Sequence, residues 1–370
     1  MKHTLISLSL AMMTALATVA QNYSVRGTIN QGFNGKTIYM ASYEKGHWVK
    51  SDSAVIANNK FVFNGKVETP HIKYLLFEHG DKTLFSDFVL ENAVLAMSAT
   101  VGDEMQITTM GTKSNDSYAL YKQAMREYSL KANPIQDRLQ KASDDKVLYD
   151  SLMQALYSYG ETLEATLEKI CETNNDNFTG LYLAQNFYNR WEFARAKKFL
   201  DAVPQELRNG KIYKSMSSHL AMIENTSEGK PFVDIVAKTP EGKDIRLSDY
   251  AGKGKVVLVD FWASWCGPCM MEMPNVVKAY GLYKDKGLEI VGVSLDSKSE
   301  AWQKALAEQK MTWPQMSDLK GWSNEGAKAY GVRAIPATVL IGKDGKIVAR
   351  DLRGEELIQK IASLLDETSK

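Results

Sequence analysis

Cysteine is scarce, with three in 370 residues, too few to staple a disulfide scaffold. The fold must therefore stand on its hydrophobic core, and any thiol chemistry must be concentrated at one place. A charge surplus is also lacking: 45 Lys and Arg oppose 44 Asp and Glu. With no local basic patch either, neither nucleic acid nor an acidic membrane surface is an expected partner. Beyond the first twenty residues no run is long and apolar enough to span a bilayer, which excludes a multi-span membrane protein. Internal repeats and low-complexity tracts are missing as well. Hydrophobic residues at 44% and charged residues at 24% match soluble globular chains and exclude disorder. At about 150 residues per domain the length allows two or three domains.

What is there begins with a distinct leader. Lys2 and His3 precede the uncharged stretch 4–20, which meets the polar Gln21-Asn22. A basic start, an apolar middle and small residues at the junction read as a secretory signal, residues 1–20. Thr18-Val19-Ala20 fits its cleavage site, with Ala15-Leu16-Ala17 as the alternative. An uncleaved anchor is the competing reading, but the run is short and rich in Ser, Thr and Ala. No cysteine precedes Cys171, so no lipid anchor is expected at a new terminus. The destination is an oxidising compartment, a bacterial periplasm.

Three blocks follow. Residues 21–110 alternate in short apolar runs: Thr37-Ile38-Tyr39-Met40, Ser53-Ala54-Val55-Ile56, then a turn at Asn58-Asn59 before Lys60-Phe61-Val62-Phe63. The runs 72–77 and 87–90 continue the pattern, which predicts a small antiparallel sandwich or barrel. Residues 111–225 change to helical period. Leu148, Leu152, Leu156, Leu163, Leu167 and Ile170 form one stripe, and Ile212, Met216, Leu220 and Ile223 a second. Thr226-Ser227-Glu228-Gly229-Lys230-Pro231 reads as a linker. Residues 226–370 then alternate strand and helix: a buried-strand run at 255–261, a helix from Gly267 containing Pro274, a strand at 288–295 and a helix at 301–309. The runs 337–341 and 346–349 flank Asp344-Gly345, a hairpin signal, and 355–365 closes as an amphipathic helix. This order predicts an α/β domain, a mixed sheet with helices on both faces.

The chemistry sits at Trp265-Cys266-Gly267-Pro268-Cys269, a CxxC at a strand-to-helix junction. A helix N-terminus carries partial positive charge and unpaired N–H groups, which stabilise a thiolate on Cys266. The thiolate is the attacking species in disulfide exchange. Cys269, one turn inward, is placed to displace a partner from a mixed disulfide. Pro268 suits the first turn because the N–H it lacks has no helical acceptor. A zinc site would need about four ligands, and no histidine follows His219. Haem attachment would need His where Met270 stands, and a Cys-His hydrolase lacks its histidine. A merely structural CxxC is the alternative that stays open; the strand-to-helix context favours a redox dithiol, with no metal and no cofactor. His47, His71, His79 and His219 show no ligand spacing and read as surface residues. Trp302, Trp313 and Trp322 read as core or groove residues, Lys253-Gly254-Lys255 as a basic turn, and Cys171 as a small buried hydrophobe, with an intermolecular disulfide as the alternative.

The segment Val259-Asp260-Phe261-Trp262-Ala263-Ser264-Trp265-Cys266-Gly267-Pro268-Cys269 resembles the active-site segment of thioredoxin. Ile335-Pro336-Ala337-Thr338 resembles that family's cis-proline loop, and Pro274 its helix-kinking proline. Pro231-Phe232, Leu247-Ser248-Asp249-Tyr250 and the long stretch before Pro336 resemble the TlpA/ResA-like envelope branch of the AhpC/TSA grouping. Residues 230–370 carry this likeness. Asp52-Ser53-Ala54 and 60–65 resemble an uncharacterised β-domain that precedes thioredoxin domains in some envelope proteins.

The resemblance implies a periplasmic thiol:disulfide oxidoreductase acting through Cys266 and Cys269. It implies that Asp260 is a buried acid poised to take the Cys269 proton and that a cis Pro336 faces the dithiol. It further implies that Trp265, Gly267, Pro268 and Ile335 contact substrate. The Gly-Pro pair resembles reducing thioredoxins, so protein disulfides are the expected substrates and a membrane electron donor the expected source of electrons. Two alternatives stand beside it. A thiol peroxidase of the AhpC/TSA type would carry Thr where Ala263 stands, three residues before the reactive cysteine. An envelope binding protein would use blocks one and two for recognition, with the dithiol accessory.

Overall fold

The computed structural model describes residues 22–142 and 145–366. The expected secretory signal and its expected cleavage site lie outside the described residues. Among the described residues, the period-two region forms strands β1 (Tyr23–Ile29), β2 (Thr37–Glu44), β3 (His47–Val55), β4 (Lys60–Gly65), β5 (His71–His79), β6 (Lys82–Leu90), β7 (Val94–Val101) and β8 (Met105–Met110). They make two four-stranded sheets, in order β4-β1-β7-β8 and β3-β2-β5-β6. Phe61, Phe63, Leu95 and Met97 from one sheet and Met40, Leu75, Phe77 and Phe88 from the other share one core, so the sheets form a sandwich. One pairing departs from the antiparallel expectation: β1 runs parallel to β7. The strands that sequence reading passed over, β1, β7 and β8, lie together in that sheet. The Asn58-Asn59 turn does appear, both residues at positive φ, with Ala57 and Lys60 exchanging backbone hydrogen bonds of 2.9 and 3.0 Å.

Helices α1 (Lys113–Leu139), α2 (Lys146–Thr173), α3 (Phe178–Ala184), α4 (Phe193–Ala202) and α5 (Lys211–Asn225) follow. Thr112, Asp145 and Asn177 cap the first three, each accepting a backbone N–H from the first turn. The stripe on α2 is only partly used: Leu152 and Ile170 are buried, whereas Leu148 is exposed. Two compact units emerge, and they cut across the expected helical block. One ends at Tyr188 but takes in Phe199–Lys214; the other comprises Asn189–Lys198 and the chain from Ser215 onward.

In the second unit β9 (Val236–Lys238) and β10 (Asp244–Arg246) pair as a small hairpin. After them come β11 (Val256–Trp262), α6 (Gly267–Tyr283), β12 (Leu288–Ser294), α7 (Ser299–Glu308), β13 (Gln315–Met316), α8 (Glu325–Ala329), β14 (Ala337–Ile341), β15 (Ile347–Arg350) and α9 (Gly354–Asp366). The sheet order is β13-β12-β11-β14-β15. β12 lies parallel to β11 and β13, while β14 is antiparallel to both β11 and β15. All seven residues of β11 are buried, so helices cover both faces of this mixed, thioredoxin-like sheet.

The segment read as a linker is built into this unit. Gly229 N–H donates to Ile347 O, and Ile347 N–H donates to Lys230 O, each at 2.8 Å. Thr226 is buried and accepts from the Arg350 guanidinium. Its turn-forming composition reflects a chain that closes the open edge of β15.

Candidate active site

β11 ends at Trp262, and a tight turn through Ala263, Ser264 and Trp265 delivers the chain to α6. Cys266 caps that helix in extended conformation (φ −87°, ψ 98°), its N–H donating to Ala263 O at 3.1 Å. Its Sγ accepts from the Cys269 N–H at 3.1 Å. The sulfur therefore lies where the orphan N–H groups and the positive end of the helix dipole converge. Cys269 is 1% exposed and is joined to Cys266 by a disulfide, with the Cα atoms 5.2 Å apart. Gly267 and Pro268 occupy the first turn between them.

The cis Ile335–Pro336 peptide approaches from the other side. Ile335 O lies 3.6 Å from Cys266 Sγ, and Pro336 O accepts from Arg353 Nη2 at 2.7 Å. Ile335 is half-buried and Pro336 buried.

Asp260 sits mid-strand on β11, in register with Gly292 on β12 and Thr338 on β14. It is 3% exposed, and burial pushes its carboxyl up to about 7, with the Glu272 carboxylate adding to the rise. A group titrating there can hold or accept a proton near neutral pH. Glu272 escaped the sequence reading. It lies one turn past Cys269 on α6, and its Oε1 accepts the Gly354 N–H of α9 at 2.7 Å. The three-residue spacing from Cys269, which sets both on one helix face, was the available signal.

Asp296 was missed as well. It is buried just beyond β12 and accepts from Ser264 N–H (3.0 Å), Ser264 Oγ (2.5 Å) and Ser294 Oγ (2.8 Å). Its carboxylate thus pins the turn that carries Trp265 and Cys266. An acid directly after an apolar strand run, at the carboxyl end of a parallel strand, is where α/β sites gather. Below the turn, Trp262 Nε1 donates to Gln315 Oε1 at 3.1 Å. A Cβ at Gly292 would lie 2.2 Å from that same Oε1, so the position admits only glycine without displacing Gln315.

The tryptophans divide. Trp302 and Trp313 are buried, whereas Trp265 is 54% and Trp322 50% exposed. The two exposed indoles face each other with centroids 6.0 Å apart. His219 corrects the surface reading given to the four histidines: it is buried, with Nε2 2.8 Å from Gly331 O, because α5 packs its apolar stripe inward there. Burial lowers its pKa. Cys171 is fully buried, its thiol facing Gly180 O at 3.4 Å, which suits a small hydrophobe better than an intermolecular disulfide. Among the described residues no group of three or more His, Cys, Asp or Glu could hold a metal ion, and no helix is long and apolar enough to cross a membrane.

Residues 229–350 match the AhpC/TSA family, and residues 23–118 match a domain of unknown function, DUF4369. The chain is similar to thiol-disulfide oxidoreductase ResA of Bacillus thuringiensis subsp. konkukian, at 35% identity over 142 residues, 38% of this chain and 79% of that protein. ResA of Halalkalibacterium halodurans is 34% identical over 139 residues, 37% of this chain and 76% of the relative. Among solved structures, the thioredoxin domain of a thiol-disulfide oxidoreductase from Bacteroides vulgatus is 36% identical. That match covers 38% of this chain and 98% of the other, with a TM-score of 0.35.

Proposed function

The chain belongs to the ResA-like thiol-disulfide oxidoreductases of the AhpC/TSA grouping, and we propose that it works in the periplasm as a reductant of protein disulfides. The observation that carries this reading is the Cys266–Cys269 pair at the N-terminus of α6, with Ile335 O 3.6 Å from Cys266 Sγ.

In the dithiol state the Cys266 thiolate attacks one sulfur of a client disulfide, forming a mixed disulfide and releasing a client thiolate. Cys269 then loses its proton, with Asp260 as acceptor, and attacks Cys266 Sγ. The Cys266–Cys269 disulfide forms, the second client thiol leaves, and two electrons have passed to the client. Pro336 holds Ile335 so that its backbone pairs with an extended client segment, while Trp265, Gly267 and Pro268 line the approach. A membrane electron donor restores the dithiol. Export by the leader at 1–20 supports the location, and the chemistry resides in the domain from about residue 226.

Cysteine variants test the roles. Cys269→Ser is expected to leave a covalent adduct that cannot be discharged, visible on non-reducing gels of cells expressing it. Cys266→Ser is expected to trap little, because the remaining thiol lies inside the helix turn, away from the N-terminal field. Equal trapping by both variants, or adducts that require Cys171, would overturn the assignment. Mass spectrometry of the adducts names the client.

A further inference from the structure

Two half-exposed tryptophans pack against each other beside the CxxC segment, each on a turn fixed by buried polar groups. Trp265 precedes Cys266, and Trp322 lies in the short turn Gly321–Ser323. Both turns hang from the same buried polar cluster at the end of β12. On one side Asp296 accepts the Ser264 N–H and hydroxyl. On the other, Ser317 Oγ donates to Ser294 O at 2.8 Å, and Asn324 Nδ2 donates to Asp318 Oδ1 at 2.8 Å. Asp318 in turn accepts the Lys320 and Glu325 N–H groups at 3.1 and 3.0 Å, closing the turn around Trp322. Each indole nonetheless leaves about half its surface to water, and the ring planes are tilted by 57°.

Aromatic area carried beside the sulfurs on turns already hydrogen-bonded in the free protein is the arrangement of a contact surface, since little of the backbone remains to be ordered on binding. Resting on the exchange reading above, we propose that Trp265 and Trp322 together form a docking surface for an aromatic or large aliphatic side chain next to the client's cysteine. The client cysteine must reach Cys266 Sγ, between the Ile335 backbone and Trp265. An extended chain rises about 3.3 Å per residue, so the residues flanking that cysteine come within reach of the indole pair. The indoles offer apolar and π contact, which suits a bulky aromatic or aliphatic side chain. The client class is therefore a disulfide-bonded polypeptide with a bulky apolar residue beside its cysteine. Trp322 then acts in client choice rather than in sulfur chemistry.

The test uses the full chain in its dithiol form and two synthetic disulfide-bridged peptides that differ only in Phe or Ser beside one cysteine. Second-order reduction rates are read by chromatography after acid quench. The wild-type protein is expected to favour the Phe peptide about five- to tenfold, the scale of one aromatic contact. Trp322→Ala is expected to bring the Phe/Ser ratio close to one, and Trp322→Phe to restore most of it. A wild-type ratio near one, or a ratio unchanged in Trp322→Ala, would overturn the docking surface. So would equal slowing of both peptides by Trp322→Ala, because that marks a structural role. Failure of the wild-type dithiol to reduce either peptide or oxidised glutathione would overturn the exchange reading itself, and this inference with it.

Discussion

Replacing Asp260 with Asn tests the buried acid through stability and through rate. Its folded carboxyl titrates at about 7, against 3.8 in the unfolded chain, and burial is the main cause. Between those two values the native state holds a proton that the unfolded state has lost. Stability therefore falls as pH rises across that window, and the full penalty persists above it. The displacement corresponds to at most about 4 kcal/mol, of which about 2–3 kcal/mol accrues between pH 5 and pH 8. Asn cannot ionise, so Asp260→Asn is expected to stabilise the oxidised protein, and by more at pH 8 than at pH 5. Urea unfolding read by hydrogen exchange in peptides from β11 and β14 reports this sheet alone. In exchange kinetics the same variant is expected to slow release of the mixed disulfide by at least about tenfold, with little change in its formation. On the proposed roles only release requires Cys269 to lose a proton, and general-base catalysis is worth about 10²–10⁴ in rate. A stability gain equal at both pH values would refute the buried-acid account. Equal slowing of formation and release would assign Asp260 a structural role instead.

On the proposed reducing direction, a potential near thioredoxin's, about −270 mV, is expected by equilibration with glutathione buffers. A value above about −150 mV, close to the strong oxidant DsbA, would sink that direction. Gly292→Ala is expected to push Gln315 from Trp262 Nε1 and cost about 1–3 kcal/mol by overpacking and loss of a buried hydrogen bond. Unchanged urea stability would show that Gln315 moves aside freely.

Local chemistry spoke for itself wherever a short segment carries its own instruction. Cys266 and Cys269 are three residues apart after a continuous apolar run, and a helix N-terminus there follows from the run's end and the proline at 268. Asn58-Asn59 bends the chain by itself, and Phe61 and Phe63 share a face by the period of a strand. Helical stripes at 148–170 and 212–223 were equally legible, since period 3.6 needs no partner to be read. Long-range pairing decided the rest. That β1 lies parallel to β7 depends on strands some seventy residues apart. The apparent linker at 226–231 became an edge partner of β15 because Ile347 offered unpaired backbone groups, which no local pattern announces. His219 reads as a surface residue in sequence and is buried because α5 packs near Gly331. Glu272 and Asp296 are ordinary acids along the chain. Only the fold sets one where its charge reaches Asp260 and the other under the Ser264 turn. The paired sulfurs were thus written locally. Their surroundings, a buried acid, a cis peptide opposite and two indoles on anchored turns, arise from contacts between distant segments, whose energies depend on a burial that exists only once the chain is folded.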